Sequence, residues 1–393
     1  MFKTLKEAQA WIESVQKFGP KYDLVRMENA SAMLGHPEKK IPIVHVAGTN
    51  GKGSTVAFIA HILMAAGYQT GTYISPYIES FNERFMINHQ PVSDERLLEL
   101  INQMVALNEN YQEKYHEHLS FFELTTLLSF VYFAEENIDI AVIEVGIGGR
   151  LDATNIIVPE VSVITSIGYD HMGILGNTLE AIAGEKLGIV KPGIPLVSGV
   201  KEPSLIPLFK AKARDNHAAF ILTESVDFNP SIPQTFTYQG INYLTRLLGP
   251  HQLSNATCAI EAAHVLNQRG FNVPVAAIQQ GIEEAFWPGR FEQMGPFILD
   301  GAHNIHGIET LLASLDAYFK DAPLTMVFGV MADKETGPMQ KRLEARAERI
   351  IFTQVDHPRA LDASVMLERS THPKASIMDL DEIVKLQEPT VIA

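Results

Sequence analysis

Hydrophobic positions along the chain fall into short dense runs that alternate with stretches of helical spacing. Residues 43–47, Ile-Val-His-Val-Ala, form one such run and read as a buried strand. Polar, glycine-rich text follows: Gly48-Thr49-Asn50-Gly51-Lys52-Gly53-Ser54. Helical spacing then resumes, with Val56, Ile59, Ala60 and Leu63 on one face and Gly67 as the C-terminal cap. A second strand is predicted over 70–74. Strand, glycine loop, helix and strand form the context in which backbone N–H groups cradle phosphate, a lysine reaches the outer phosphates, and a hydroxyl (Ser54 or Thr55) sits near magnesium. The match to the usual P-loop is incomplete. Val46 stands where the first glycine is expected, and Gly53 separates Lys52 from the hydroxyl.

The same alternation continues. Residues 1–40 read as helix and then loop, with Phe18-Gly19-Pro20 breaking the first helix. The stretch 75–90, SPYIESFNERFMINHQ, mixes polar and aromatic residues and suits an ordered loop over a site. A helix opens at Pro91-Val92-Ser93 and carries Leu97, Leu98, Ile101 and Val105. Ser120 and Glu123 make a capping box for a helix running to about Glu136. Strands are expected at 138–145, 161–165, 195–198 and 219–222, with helices at 205–213, 252–267 and 275–285. Trp287-Pro288-Gly289-Arg290 interrupts this series. A new one, with strands at 297–299, 325–330, 350–353 and 390–392, begins after Gly295-Pro296. The pattern argues for a doubly wound α/β domain over 1–295 and a smaller α/β domain over 296–393.

The net charge of −15 disfavours general nucleic-acid binding, which needs basic surface. Anionic ligands would then be met by localised cations, and Lys52, Arg84, Arg150, Lys186 and Arg290 all lie in motif-like stretches. The single cysteine, Cys258, falls in a predicted helix, where core packing explains it, and a chain with one cysteine suits a reducing compartment. The N-terminal pattern is amphipathic and lacks a signal-peptide core. No apolar run approaches the roughly 20 residues that span a membrane. A cytoplasmic protein without membrane or nucleic-acid partners is expected, and a monomer.

Several residues at strand ends carry candidate chemistry. Glu144 closes the run AVIE, the place where α/β proteins bind ligands, and can hold magnesium directly or through water; helix capping or a salt bridge is the structural alternative. Gly146, Gly148 and Gly149 let backbone approach a ligand. Arg150 and Asp152 pair with each other or contact substrate. Asp170-His171 follows a strand, where the histidine is a metal or phosphate ligand or simply a polar loop residue. For Glu185-Lys186, an ion pair on a solvated helix face is the plainer account. Asp300-Gly301-Ala302-His303-Asn304 would set polar groups at another strand's end, and Arg290 could reach phosphates from either α/β unit. ATP in a cleft between two such units follows, with the aromatic loop covering a flat organic substrate.

The strings HVAGTNGKGS, YISPYIESFNERF, EVGIGGRLDATN, DHMGILGNTLEAIAGEKLGIVKPG, GPHQLSNA, WPGRFE and LDGAHN, in this order, resemble the folylpolyglutamate synthase and dihydrofolate synthase family of the Mur ligase superfamily. The resemblance implies a P-loop-containing, ATPase-like N-terminal domain and a smaller Rossmann-like C-terminal one. It implies that Asn50, Gly51, Lys52, Gly53, Ser54, Asn255, Arg290 and Asp300 handle ATP, with His303 nearby. Ser75, Glu144 and His171 would hold Mg2+, and Lys186 would carry a carbamate. Phe122, Asp152 and Ala153 match positions that contact the pterin, and Arg84 belongs to the same substrate-binding set. Two departures stand out: Tyr77 replaces the usual histidine of SPH, and the text ends at Ala393 with a final strand expected to be shortened.

The implied reaction is ATP-dependent amide formation between a folate or dihydropteroate carboxylate and L-glutamate, through an acyl phosphate, with Lys52, Lys186, His171 and Arg290 as catalytic residues. A Mur-type ligase acting on a UDP-linked precursor, a P-loop kinase or nucleotide switch, and a non-catalytic nucleotide-binding module are the alternatives. The second α/β unit with LDGAHN, and Glu144 in place of a strand-end aspartate, count against the kinase.

Overall fold

The run at 43–47 is strand β1 (Ile43–Ala47), buried along its whole length. Seven further strands join it: β2 (Thr70–Tyr73), β3 (Phe85–Ile87), β4 (Gln90–Pro91), β5 (Ile140–Glu144), β6 (Val161–Ile164), β7 (Leu196–Ser198) and β8 (Phe220–Leu222). Their order is β4-β3-β2-β5-β1-β6-β7-β8, parallel from β2 to β8 with an antiparallel β3–β4 edge. The computed structural model describes residues 1–16, 23–320, 322–357 and 359–393. The break expected at Phe18-Gly19-Pro20 lies outside the described residues.

The chain divides into two compact units. The first holds Met1–Ile167, His171–Glu224 and Asn255–Glu284; the second holds Gly168–Asp170, Ser225–Ser254 and Ala285–Ala393. The division runs through the helix Pro250–Gln268. The second unit has its own sheet, built from β11 (Glu292–Met294), β12 (Phe297–Leu299), β13 (Thr325–Phe328), β14 (Arg349–Phe352), β15 (Ala375–Ile377) and β16 (Thr390–Ile392), in the order β11-β12-β16-β13-β14-β15. The boundary expected at 295/296 falls in the turn of the antiparallel β11–β12 hairpin, inside this unit. The final strand β16 pairs with β12 on one side and β13 on the other. A separate hairpin, β9 (Gln234–Tyr238) with β10 (Ile241–Thr245), turns at Gln239-Gly240, both at positive φ. Its QTFTY alternation and glycine turn were the available signal for it.

Helix ends follow their capping chemistry. Ser120 and Glu123 form the expected capping box on the helix Phe121–Glu135. The helix Asp94–Tyr115 starts from Ser93, whose hydroxyl accepts the Arg96 N–H, while Pro91 belongs to β4. Gly67, at φ 91°, closes the helix Lys52–Ala65 by donating to Met64 O at 2.9 Å. That helix departs from the one-faced pattern: Gly53 to Ala60 are buried without interruption, as are Ile62 and Leu63. The reason is a second covering layer. The helix Val275–Glu284 crosses it so closely that a Cβ on Gly281 would lie 2.3 Å from Ile62 N and 2.4 Å from Ile62 Cα.

This contact yields a prediction in which two effects oppose. Gly281→Ala gains roughly 1 kcal/mol of helix propensity. Against that, the methyl strikes backbone that cannot move aside as a side chain can, and overpacking of this kind costs about 1–3 kcal/mol or more. A net loss of stability is expected in denaturant unfolding, and an unchanged or raised midpoint would contradict the packing account.

Candidate functional site

Polar groups that follow the ends of β1, β2 and β5 of the first unit are linked through Lys52, whose amine donates to the Gly48 carbonyl. The loop after β1 is pinned to the end of β6. Thr49 N–H donates to Ser166 O at 2.9 Å, and Asn50 N–H to Ser166 Oγ at 3.0 Å. The Thr165 and Ser166 hydroxyls donate to Asn50 O at 2.6 and 2.9 Å. Gly51 then takes φ 82°, which favours glycine, and a Cβ there would stand 2.3 Å from Asn255 Oδ1 and displace that side chain. Lys52 opens the helix and its amine turns back to Gly48 O at 3.2 Å and Thr49 O at 3.4 Å. The same amine lies 3.9 Å from Glu144 Oε1, while Glu144 Oε2 accepts the Ser75 N–H at 3.1 Å. Gly53 and Ser54 are buried, and Thr55 Oγ1 is a buried hydroxyl with no hydrogen-bond partner.

Lys186 reaches the same carbonyl, its Nζ donating to Gly48 O at 3.1 Å with the residue only 4% exposed. Close packing brings it there. The 146–150 loop rests on the helix Leu179–Lys186: Arg150 N–H donates to Glu185 O at 2.7 Å. A Cβ on Gly149 would lie 2.9 Å from the Glu185 and Lys186 carbonyls, and one on Gly188 2.3 Å from Arg150 Cα. The surface pair Glu185–Lys186 considered above is not formed. Adjacent helical residues point apart; Glu185 takes the Arg150 guanidinium at 2.9 Å, and Lys186 turns inward.

Arg150 therefore does not pair with Asp152. Asp152 is fully buried and braces the loop, Oδ2 accepting Ile147 N–H at 2.9 Å and Oδ1 accepting Thr154 N–H and Oγ1 at 3.1 and 2.6 Å. Thr154's proton thus goes to Asp152, so Thr154 Oγ1 accepts from His45 Nε2 at 2.9 Å. Burial, helped by Lys191, holds His45 down to about 3, neutral inside β1. Phe122 and Ala153 are buried beside this loop, the Phe122 ring covering Gly146, where a Cβ would meet it at 2.4 Å. Arg84 is buried among aromatic rings. His171 heads the short helix Met172–Leu175 at φ 50°. Among the described residues no cluster of three or more His, Cys, Asp or Glu could hold a metal.

In the second unit, the 287–292 and 299–304 motifs are tied together. Gly301 N–H donates to Gly289 O at 2.9 Å and Phe291 N–H to Asp300 Oδ2 at 3.0 Å, with Phe291 at φ 50°, a strained value for a bulky residue. The Arg290 guanidinium packs on Gly301, where a Cβ would lie 2.3 Å from Nη1. Glu292 accepts the Gly289 N–H at 2.8 Å. His303 Nδ1 meets Gly301 O at 2.8 Å. A group not foreseen from sequence lies alongside: Asp170 accepts from Asn304 Nδ2 at 3.0 Å and Lys334 Nζ at 3.2 Å, with His303 Nε2 at 3.9 Å. Lys334 had no motif to mark it.

A phosphate-loop parallel sheet followed by a second α/β sheet fits the Mur-type ATP-dependent ligases, and comparison with known proteins shows that class. The Mur ligase middle domain model matches residues 46–195, and the Mur ligase, glutamate ligase domain model matches residues 289–389. The chain is 42% identical to the dihydrofolate synthase/folylpolyglutamate synthase of Bacillus subtilis, over 99% of this chain and 94% of that protein. The crystal structure of the Thermotoga maritima folylpolyglutamate synthase is similar at TM-score 0.88 and 32% identity, covering 99% of this chain and 93% of that one. The Mycobacterium tuberculosis folylpolyglutamate synthase complexed with ADP gives TM-score 0.88 at 28% identity, covering 99% and 94%. The chain belongs to the folylpolyglutamate synthase and dihydrofolate synthase family.

Asp300 provides a pH test of the second unit. Burial pushes its carboxyl up to about 6, with Arg290 and the Phe291 and Ala302 N–H groups pulling the other way. A folded value above the unfolded one means the native state holds the proton more tightly. Stability from this group is therefore full below about pH 4 and lost as pH rises to about 6. Melting temperatures of wild type and Asp300→Asn, compared between pH 4 and 7, should show wild type losing ground to the variant as pH rises. A constant difference would remove Asp300 as the titrating group.

Proposed function

We infer that the protein is an ATP-dependent ligase joining a carboxylate of a folate or of dihydropteroate to the α-amine of L-glutamate. The observation that carries this reading is a linked set of contacts, in a chain of this family: Lys52 and Lys186 both donate to Gly48 O, Lys52 lies 3.9 Å from Glu144, and Glu144 accepts the Ser75 N–H. A substrate carboxylate oxygen attacks the γ-phosphorus of ATP and ADP leaves, giving an acyl phosphate. The glutamate amine then attacks the acyl carbon and loses a proton, and phosphate departs. Lys52 and the N–H groups opening its helix hold the phosphate oxygens, and Asn255 lies against the same loop at Gly51. Arg290 supplies a planar, fork-shaped cation for phosphate, with Asp300 and His303 in the motif beside it.

A magnesium ion suits the donors at the phosphate loop. Glu144, the Ser75 position and the unpartnered Thr55 hydroxyl offer the hard oxygens this ion takes, with ATP phosphates and water completing the shell and His171 as a further ligand. When bound, it offsets charge on the transferring phosphoryl group. Lys186 fits a carbamate. Its amine shares the Gly48 oxygen with Lys52, and conversion to an anionic group would replace repulsion between two cations by attraction. Phe122, Ala153, Asp152 and Arg84 frame the pterin-bearing substrate, the first two as contact surface and Asp152 through the loop it braces. A single buried cysteine, Cys258, suits work in a reducing cytoplasm.

Incubation with ATP, L-glutamate and either dihydropteroate or tetrahydrofolate, followed by product mass, tests the reading. A gain of one glutamyl unit on either acceptor is expected; a phosphorylated product would overturn it. Lys186→Ala should lose activity roughly a hundredfold or more, on the scale of removing one transition-state charge contact. Added acetate or formate should restore part of it by occupying the vacated anion position. Full activity of the Ala variant would exclude the carbamate.

A further inference from the structure

Arg84 is a buried cation of the first unit with two donor atoms unused. It ends the 3-10 turn Phe81–Arg84, directly before β3, and is 7% exposed. Its guanidinium carbon stands 5.2 Å from the Tyr77 ring centre, 5.3 Å from that of Phe121 and 5.6 Å from that of Phe81. Ring faces steady the charge but give its in-plane N–H groups no acceptor. Nε and Nη1 are buried and have no hydrogen-bond partner. Acids outnumber bases 46 to 31 in this chain, yet among the described residues no acid bonds Nε or Nη1 of Arg84. Buried charged donors of this kind are normally satisfied.

The position is next to the chemistry. Arg84 O accepts the Ile74 N–H at 3.2 Å, and the following residue, Ser75, donates to Glu144. Phe121, against Arg84, directly precedes Phe122, whose ring covers Gly146. Tyr77 is half-buried and lies in an otherwise exposed segment, with Ile78 at 49% exposure. That segment is anchored at its far end by Glu83, which accepts the N–H groups of Ile78, Glu79 and Ser80 at 3.0, 3.2 and 2.9 Å.

We propose that Arg84 binds a substrate carboxylate other than the one phosphorylated, namely the α-carboxylate of the glutamyl end of a folate, with Tyr77 moving from the guanidinium to admit it. This rests on the folate reading above. A carboxylate docked bidentately on either edge of the guanidinium takes one of the two orphaned donors together with Nη2, and so gives the buried charge an acceptor. It also separates the two acceptors: dihydropteroate has a single carboxylate, the reacting one, so Arg84 acts as a specificity residue for glutamyl extension.

The test is equilibrium binding of a reduced folate monoglutamate and of its α-carboxamide, with a non-hydrolysable ATP analogue present. Wild type should prefer the acid roughly ten- to a hundredfold, the scale of a charge-assisted contact. Arg84→Gln should abolish that preference and bind the carboxamide within about twofold of wild type, on the same scale. If wild type binds both ligands equally, or the variant keeps the preference, the proposal is overturned. Equal weakening of both ligands would make Arg84 a shaping residue and overturn it as well. If Arg84→Gln does not fold, Arg84→Lys replaces it: it keeps the charge among the rings but lacks the fork, so the preference should fall sharply, and an intact preference overturns the proposal. If wild type binds neither ligand, the folate reading itself fails, and the inference with it.

Discussion

Two lysine amines meet at one carbonyl oxygen, that of Gly48, and much of the first unit is arranged to allow it. Lys52 arrives from the helix that the phosphate loop opens, and Lys186 from the end of a helix far along the chain. As ammonium ions within roughly 6 Å of each other, they would repel by about 3 kcal/mol at an effective dielectric near 20. Glu144, 3.9 Å from Lys52, offsets part of this. The remaining positive charge is aimed where a polyphosphate would lie. The arrangement is held by close approach of backbones: the loop residues Gly51 and Gly149 and the helix residue Gly188 each sit where a Cβ would collide with a neighbour. Glycine here is a spatial requirement imposed by the convergence of the lysines.

Much of this was legible in the sequence because it is local. The glycine loop, its lysine and the flanking apolar runs are contiguous, and strands β1, β2, β5, β6, β7 and β8 fall within a residue or two of their expected bounds. What could not be read depends on contacts between distant segments. The helical face of Val56, Ile59, Ala60 and Leu63 is right as far as it goes, but the second buried side exists only because Gly281 admits another helix. The β3–β4 edge was hidden inside a stretch read as a loop, since two short antiparallel strands leave too few residues for a period of two to emerge. The 295/296 expectation used Gly-Pro as punctuation, and in the structure the same residues are the turn of a hairpin.

The candidate site divides along the same line. Lys186 had a plain alternative in sequence, a surface pair with Glu185, and only the position of Arg150 takes that partner away and leaves Lys186 to point inward. Asp152 shows the opposite case. A carboxylate in the motif GGRLDATN invites a substrate role, yet its oxygens hold Ile147 and Thr154, and through Thr154 a neutral histidine in the central strand. An aspartate so engaged sets the path of the 146–150 loop, and with it the backbone that Phe122 covers and on which the Lys186 helix rests. A motif position can thus govern a site through the loop it shapes.

Unsatisfied groups mark what the protein is built to receive. Most buried polar atoms find partners because leaving one without costs about 1–3 kcal/mol, and more when it is charged. Among the described residues of this unit the exceptions are the Thr55 and Thr72 hydroxyls, Asn155 Oδ1, His45 Nδ1 and two nitrogens of Arg84. Thr55 lies on the helix that Lys52 opens, and Arg84 O accepts the N–H of Ile74, the residue before Ser75. A hydroxyl lacking an acceptor or donor suits a hydrated cation or a phosphate, whereas a guanidinium lacking an acceptor suits a carboxylate. For a ligase whose acceptor brings carboxylates and whose second substrate brings phosphates, the two kinds of vacancy sort the ligands by chemistry. The His45 Nδ1 orphan has a different meaning: neutral, and inside the central strand with no access to a ligand, it is a packing compromise that its lowered proton affinity makes tolerable. The distinction rests on charge and place together, since an uncharged orphan in the core needs only to stay neutral, while a charged one at a strand end needs a partner from outside.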